Sequence, residues 1–251
     1  MRIRLAAVFA VLAVLALSSA WRVPVVRAAA ETHRLNFVIS GTPTQVRADD
    51  FNGFIDDLNQ RFLTPQGLEP LGKIKLSWLF DGEVRYFARQ NLAVSVGVGR
   101  LHSSKRQEYL PAIGRSIVLT AEVSSVPIHA GAAYYLKPYN QGDFQARAYV
   151  GAGFVSLVAN KATFRQDQTG TPAPTIRISG TNDGPGFYTE AGAHMFFATR
   201  FSLMLGALYR NNNVRNLVDE GTGLPFLNFD GQPISLDVGG IGFKMALGIG
   251  L

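Results

Sequence analysis

The chain has 251 residues, of which 47% are hydrophobic and 17% charged, and its formal net charge is +6. This composition excludes a disordered chain, and the absence of cysteine excludes a disulfide framework or a lipid-modified cysteine anchor. No stretch after the first thirty residues reaches 18 consecutive apolar residues, so a membrane-embedded chain would have to cross as strands.

The N-terminus has the pattern of a secretory signal. Arg2 and Arg4 precede an apolar run from Leu5 to Leu17, and small residues follow at 28–30. The run is shorter than the roughly 20 residues that span a bilayer, which argues against a membrane anchor. We therefore predict a signal peptide over residues 1–30 and a mature domain over 31–251. Cleavage is expected after Ala30, and the alternative site follows Ala20.

Most of the positive charge belongs to this signal. Its four arginines leave with it, so the net charge of the mature chain falls from +6 to +2. A binding role for nucleic acid loses its electrostatic support.

The segment from Leu236 to Leu251 sets the fold class. Large apolar residues from Ile241 to Leu251 occupy every second position, while glycine, alanine and one lysine occupy the positions between them. A period of two indicates a strand. Because one side is wholly apolar and the other small or charged, the apolar side is predicted to face lipid.

The same alternation recurs along the chain and predicts eight strands, near residues 35–40, 73–87, 92–98, 126–134, 144–154, 187–197, 201–210 and 236–251. Long connections follow strands one, three, five and seven, with polar loops expected near 105–114 and 166–173, whereas short turns follow strands two, four and six. This asymmetry is typical of outer-membrane barrels, whose long loops are extracellular and whose tight turns are periplasmic.

The period changes to three and four residues between Asp49 and Phe62, which predicts one amphipathic helix at about 49–62 in the first long loop. Asp49 or Asp50 is placed to cap its start. Its four acids lack the spacing of a calcium loop, so we interpret them as a solvated helix face.

The parity of each strand divides its side chains between the wall and the lumen. Seven charged residues fall on the inner parity and are predicted to pair across a narrow interior: Lys75, Asp81, Glu83, Arg85, Arg147, Glu190 and Lys244. Aromatic residues on the outer parity are predicted to form two girdles at the lipid interfaces: Trp78, Tyr86, Tyr134, Phe144, Phe154, Phe187, Phe197, Phe201 and Tyr209. A soluble barrel of the lipocalin type would need apolar residues inside, which argues against that alternative.

The prediction is therefore an all-β, eight-stranded antiparallel up-and-down transmembrane β-barrel with one helix in its first extracellular loop. The segments 48–59, 82–87, 91–92 and 149–153 resemble the outer-membrane protein β-barrel domain superfamily, which includes OmpA, OmpX, OmpW and opacity-type small barrels. The resemblance implies residence in the bacterial outer membrane, contact with lipid and lipopolysaccharide, and insertion by the barrel-assembly machinery. It does not imply a cell-wall tether, because nothing like a peptidoglycan-binding domain follows the barrel.

Three functions fit these features. We predict a non-enzymatic structural or surface-interaction barrel with a charge-plugged lumen that acts through its long extracellular loops. The alternative is passage of small or apolar solutes, as similarity to OmpW implies. An eight-stranded barrel disfavours a pore because its interior is just wide enough for side chains to fill.

The third function is modification of lipid A. His102 and Ser104 share the outer parity near the extracellular rim, and Glu108 and Glu122 are candidate orienting acids. A simpler interpretation is a basic rim that binds lipopolysaccharide phosphates through Arg100, His102, Lys105 and Arg106.

No cofactor or metal site is predicted, since the glycine pairs lie in strands and the four histidines are scattered along the chain. We expect a monomer that binds no nucleic acid.

Overall fold

The computed structural model describes residues 33–112, 115–141, 144–169, 176–197 and 200–251. The signal peptide predicted over residues 1–30, with both of its cleavage sites, lies outside them. Among the described residues, no helix is both long and apolar enough to cross a membrane.

Eight long antiparallel strands close into a ring. They are β1 (Leu35–Gln45), β2 (Leu76–Arg89), β3 (Leu92–Ala112), β4 (Arg115–Tyr135), β6 (Phe144–Thr169), β7 (Ile176–Phe197), β8 (Phe201–Val214) and β11 (Gly240–Gly250). Each pairs with the next along the chain, and β11 closes the ring by pairing with β1, from Asn36 opposite Gly250 to Thr44 opposite Gly242. Three short strands lie outside the ring: β5 (Tyr139–Gln141), β9 (Val218–Asp219) and β10 (Leu236–Asp237).

The wall is apolar outside, as the alternation predicts. In β11 every second residue from Ile241 to Ile249 is 40–67% exposed, and the residues between them are buried. Glycines on the inner face leave room for large side chains: a Cβ at Gly131, for example, would overlap the Tyr188 hydroxyl. A closed ring with an apolar outer wall and a polar interior is the architecture of the transmembrane β-barrels. The predicted fold is confirmed.

Strands β3, β4, β6 and β7 are much longer than the sequence predicted, with 21, 21, 26 and 22 residues. Of the polar loops expected near 105–114 and 166–173, the described residues 105–112 and 166–169 are strand, so the prediction of irregular structure was wrong for them. These segments are polar because they continue the hairpins above the apolar part of the wall. One half of the barrel therefore stands taller than the other.

A β-bulge lies at the level where the long strands extend beyond the apolar part of the barrel wall. The register shifts between Leu157 and Asn160 on β6 and between Ser124 and Val126 on β4. Asn160 is fully buried there; it accepts a hydrogen bond from Ser125 and donates to the Asn182 carbonyl at 2.9 Å. The extra residue, Ala159, has a positive φ of 51°, the left-handed conformation that glycine adopts in one class of β-bulge.

The first long loop contains the predicted helix, α1 (Asp49–Leu58), which continues as a π-helical turn (Asn59–Leu63) and a 3₁₀ turn (Thr64–Gln66). The capping prediction was wrong: Ala48 occupies the N-cap, and Asp49 and Asp50 lie in the first turn. There their charge still favours the helix dipole, and Asp50 accepts a hydrogen bond from the Ser235 amide at 3.0 Å.

Candidate functional site: a charge-closed lumen beneath a folded cap

Four charged side chains meet across the middle of the barrel. Glu83 and Arg85 point inward from β2, Glu190 from β7 and Lys244 from β11. Arg85 donates from Nε to Glu83 Oε1 at 2.6 Å and from Nη2 to Glu190 Oε1 at 2.9 Å. Lys244 Nζ lies 2.9 Å from Glu190 Oε2 and 3.4 Å from Glu83 Oε2. Each carboxylate therefore contacts both cations.

This arrangement has two positive and two negative groups, and none of the four side chains is more than 6% exposed. A buried ion that loses its partner costs several kcal/mol, so the four groups hold one another in place. The sequence predicted these four residues for the lumen, and the structure brings them together.

A layer of aromatic rings lies next to this cluster on the side of the short turns. Arg85 Nη1 donates to the Tyr135 hydroxyl at 2.7 Å, and the Tyr135 and Tyr149 rings stack with centroids 5.5 Å apart. The Tyr135 hydroxyl also lies 3.0 Å from His194 Nδ1, and Arg147 lies over the Tyr135 ring at 5.3 Å. Arg147 is thus buried in the lumen as predicted, but it contacts the aromatic layer.

On the other side of the cluster is a small chamber of about 30 Å³. Asp81 and His129 form one wall, with Oδ1 and Nε2 2.9 Å apart, and Arg210 forms another. Thr42 Oγ1, Arg210 Nε and His129 Nδ1 are buried without a protein partner among the described residues. A space of this size accommodates one or two water molecules, which would satisfy such groups.

The chamber also groups Asp81, Glu83 and His129, whose ligand atoms lie within 4.8 Å of one another. The sequence analysis considered only the spacing of the histidines, and it therefore missed this combination of one histidine with two acids. Arg85 and Lys244 already neutralise Glu83, so a further cation would compete with both of them. We therefore assign these residues to the lumen charge cluster and its chamber.

The placement of Lys75 was predicted wrongly. It precedes β2, which begins at Leu76, and it is exposed. Ile74, which has the same parity as the outward-facing Trp78, is instead fully buried in the hydrophobic core that contains helix α1. The period-two pattern extends by chance to residues before the strand. Residues 71–75 are not part of the wall, because they run back against helix α1.

A folded cap covers the mouth of the barrel at the end of the tall strands. It consists of α1 with its following turns, the segment 217–238 and the inner faces of the tall strands, and its core is continuous with the upper lumen. Phe54 is central: its ring packs on Phe164 of β6 at 5.7 Å and stacks on Phe229 at 5.0 Å. The helix predicted to lie in a loop thus forms part of a hydrophobic core.

Two asparagines join the cap helix to the returning chain. Asn52 accepts from the Ile74 amide and donates to the Ile74 carbonyl, both at 2.8 Å. Asn59 does the same with Leu71, at 2.8 and 3.0 Å. The two residues are seven apart and so lie on one side of the helical segment. No periodicity of apolar residues signals such a contact.

The tip of the cap exposes apolar side chains. Phe62 and Phe229 are 47% and 37% exposed with ring centroids 5.7 Å apart, and Leu224 and Leu227 are exposed nearby in sequence. Arg61 lies over the Phe229 ring at 5.6 Å and pairs with Asp230 at 2.8 Å. We call Phe62, Leu224, Leu227 and Phe229 the cap tip.

The outward aromatic residues lie where parity places them. Trp78, Tyr86, Phe154, Phe187, Phe197 and Phe201 are exposed, and Tyr134, Phe144 and Tyr209 are half-buried. Near the short turns the Phe144 and Phe197 rings lie 5.3 Å apart, and higher on the wall the Phe187 and Tyr209 rings lie 6.4 Å apart. Their role at the lipid interface stays a prediction.

The predicted rim residues Arg100, His102, Lys105 and Arg106 are all exposed on β3. Three of them share the outward face, whereas Lys105 has the opposite parity and its aliphatic stem approaches Gly72 below the cap. Binding of lipopolysaccharide there stays a prediction.

Comparisons with known proteins add likenesses of fold. No protein-family model matches the chain, and no curated protein matches it significantly. Among solved structures, neisserial surface protein A is similar over 86% of this chain and 97% of that one, with 10% identity and a TM-score of 0.43. The N-terminal barrel domain of Pseudomonas aeruginosa OprF covers the same shares with 12% identity and a TM-score of 0.38.

The attachment invasion locus protein Ail of Yersinia pestis, solved in complex with the heparin analogue sucrose octasulfate, is similar over 86% of this chain and 96% of that one, with 13% identity and a TM-score of 0.40. The Escherichia coli outer-membrane protease OmpT is also similar, with 8% identity and a TM-score of 0.34. All four are outer-membrane barrels, and they include both a protease and a protein named for attachment. The ring of strands and the apolar outer wall of this chain themselves give it the fold of a transmembrane β-barrel.

Proposed function

We propose that this protein is a small outer-membrane barrel whose lumen stays closed and whose cap is a binding surface, so that the lumen and cap have a structural and interaction role and no catalytic one. The observation that carries the proposal is the cluster of Glu83, Arg85, Glu190 and Lys244, which spans the interior from three strands. Solute passage would require these buried pairs to separate, at a cost of several kcal/mol.

The cap supports the same function. Its hydrophobic core covers the mouth of the barrel, so solute would have to cross two barriers. The exposed cap tip offers a contact area, because exposed aromatic residues are enriched where proteins bind partners. Outer-membrane lipid and lipopolysaccharide are the expected neighbours of the wall, and we propose a monomer.

Conductance tests the closed lumen. The mature protein, purified in detergent and added to a planar lipid bilayer, should give no steady current through the barrel axis. Glu190→Ala removes one carboxylate from between two cations and should produce current events that the wild type lacks.

A stable open channel in the wild type, unchanged by Glu190→Ala, would contradict the proposal and favour passage of solutes. Glu108→Ala is the matched control, because Glu108 is an exposed acid on β3 far from the lumen cluster.

Export is a separate part of the proposal. We expect N-terminal sequencing of protein extracted from outer membranes to begin at Glu31, because small residues occupy 28–30 after a short apolar run. Recovery of the mature chain as a soluble periplasmic protein would contradict both export to the membrane and the lipid-facing wall.

A further inference from the structure

A serine, a histidine and a glutamate lie together on the outside of the barrel, where β3 and β4 extend above the wall. His102 and Ser104 are separated by one residue on β3 and are exposed on the same face. Glu122 of β4 is the register partner of Ser104, and its Oε1 lies 3.4 Å from His102 Nδ1. The contact uses one ring nitrogen of His102 and leaves Nε2 available.

This arrangement differs from an accidental ion pair in its composition. Directly opposite residues have Cβ atoms about 5 Å apart, and Ser104 and His102 are about 7 Å apart along the strand. Glu122 contacts His102, and His102 neighbours Ser104 on the same face. Acid, histidine and serine thus follow one another in the order that nucleophilic catalysis requires.

The predicted aromatic girdle would put the cluster at the height of lipid ester bonds. His102 is the register partner of Trp78, one of the outward aromatic residues of the upper wall. Aromatic girdles mark the level at which acyl chains meet headgroups. Ser104 is two residues further along β3 than His102, so a girdle at Trp78 would place it at the level where a membrane lipid presents its ester carbonyls.

Cations lie above the serine on the same outward face. Arg106 follows Ser104 by two residues, and its row continues across the sheet through Thr120 and Arg165 to Arg177, each the register partner of the one before. Asp167 engages one side of Arg165, with 2.6 Å between Nε and Oδ2. Arginines in this position suit the phosphate groups of a lipid headgroup.

We propose that Ser104, His102 and Glu122 form a hydrolytic site for ester-linked acyl chains of a phosphate-bearing membrane lipid. Ser104 Oγ attacks the ester carbonyl while His102 accepts its proton, and the lipid alcohol leaves with that proton, giving an acyl-serine. Water then attacks the acyl-serine, its proton passing through His102, and releases a fatty acid and free Ser104. Glu122 is a positioning residue that holds the His102 ring.

The overall reaction is ester plus water to alcohol plus fatty acid, so it needs no other reactant. It is separate from the closed lumen, because all three side chains are on the outer face. A rim that only binds phosphate would account for Arg106 and Arg165 but has no use for a serine beside a histidine and an acid.

Release of fatty acid tests the proposal. The mature protein in mixed detergent micelles is incubated with lipid A in one arm and with vesicles of phosphatidylethanolamine and phosphatidylglycerol in the other, and free fatty acids are measured by mass spectrometry. We expect release in at least one arm, which identifies the lipid. Ser104→Ala should lower the rate by at least about 1000-fold, as for other serine nucleophiles.

The controls separate catalysis from structure. Ser124→Ala removes the other serine next to His102, its register partner, and should leave the rate unchanged. Loss of activity in Ser124→Ala with Ser104→Ala still active would overturn the assignment of Ser104 as the nucleophile. Glu122→Gln should lower kcat with little change in KM, and Glu122→Asp should restore part of it, whereas a merely structural role would not give this split. A fluorophosphonate probe should add its mass to the wild type and not to Ser104→Ala.

Failure of both lipid arms to release fatty acid above the Ser104→Ala level, together with absence of probe labelling, would overturn the proposal. Binding of lipid A without release would overturn it too and would leave a phosphate-binding rim.

Discussion

Arg85 is the residue on which the closed lumen depends most directly. It is fully buried and donates to Glu83, Glu190 and Tyr135, so it joins β2 to β7 and β4 across the interior. In a small barrel the strands are already joined edge to edge, and such contacts add stiffness across the diameter. The charge cluster therefore acts as internal bracing as well as a plug.

The bracing predicts the effect of removing one carboxylate. Glu190→Ala leaves Arg85 and Lys244 with one acid between them, and we expect a loss of about 3–5 kcal/mol, the usual cost of breaking a buried ion pair. Thermal unfolding in detergent, followed by the electrophoretic shift between folded and heated barrel, measures it. Glu108→Ala, which alters an exposed acid, should shift the midpoint very little. An unchanged midpoint for Glu190→Ala would show that the pairs contribute no stability.

At the scale of the single element, helix α1 and its following turn are joined to the returning chain by asparagine side chains. These side chains form the hydrogen bonds that the backbone of a neighbouring strand would form. Asn52 and Asn59 offer the returning chain one acceptor and one donor each, as a backbone would. The helical segment thereby satisfies buried peptide groups that no strand reaches.

Asn52→Ala should open the cap without melting the barrel. It leaves the amide and carbonyl of Ile74 unpaired in the core, at about 1–3 kcal/mol for each group. Hydrogen exchange at residues 68–75 should become faster, while the barrel unfolds at an unchanged temperature. Gln60→Ala, at an exposed position next to Asn59, serves as the control. A drop in barrel stability with unchanged exchange at 68–75 would contradict the independence of the cap.

The sequence predicted the strands of the wall well because a lipid-facing surface imposes an uninterrupted period of two. The prediction of strands failed outside the lipid-facing part of the wall, where this alternation is not required. Above the wall the tall strands face water outside and the cap inside, so polar residues such as Arg106 and Gln166 suit a strand as well as a loop. Lys75 was misplaced for the same reason.

The lumen was predicted in part. The charged residues of β2, β7 and β11 could be identified by parity, since charges inside a barrel must meet partners. Tyr135 and His129 share the inner parity of β4 and could have been included by the same rule. Which acid pairs with which cation depends on the stagger of the strands around the ring, which a single sequence does not reveal.

At the scale of the whole molecule, the position of the wall in the bilayer can be measured with one residue. The chain has two tryptophans, Trp21 and Trp78, and the predicted cleavage after Ala30 would leave Trp78 as the single tryptophan of the mature protein. The two predicted aromatic girdles are separated by about the height of an apolar bilayer region: Phe144 of the lower girdle and Phe154 of the upper one are ten residues apart on β6, which corresponds to about 25 Å for a strand tilted by about 40°. Trp78 belongs to the upper girdle.

Trp78 should therefore fluoresce at an interface. Lipids brominated near the headgroup should quench it more strongly than lipids brominated near the chain ends. A Trp78→Phe, Phe243→Trp double variant moves the probe to the middle of β11 and should reverse the order. Stronger quenching of Trp78 by the deeper bromines would contradict the assignment of the aromatic levels.

The pairing of β1 with β11 has a consequence for the order of folding. It joins residues more than 200 positions apart, as Asn36 and Gly250 are, so the ring cannot close before almost the whole chain is available. The cap is subject to the same delay, because Phe54 contacts Phe226 and Phe229, which lie 14 and 11 residues before Gly240, the first residue of the last strand. Until β11 is in place the chain therefore exposes two apolar surfaces, the outer wall of the barrel and the core of the cap. The arrival of β11 closes the ring and brings both ends of the cap together, so one late event buries the cap core and completes the wall.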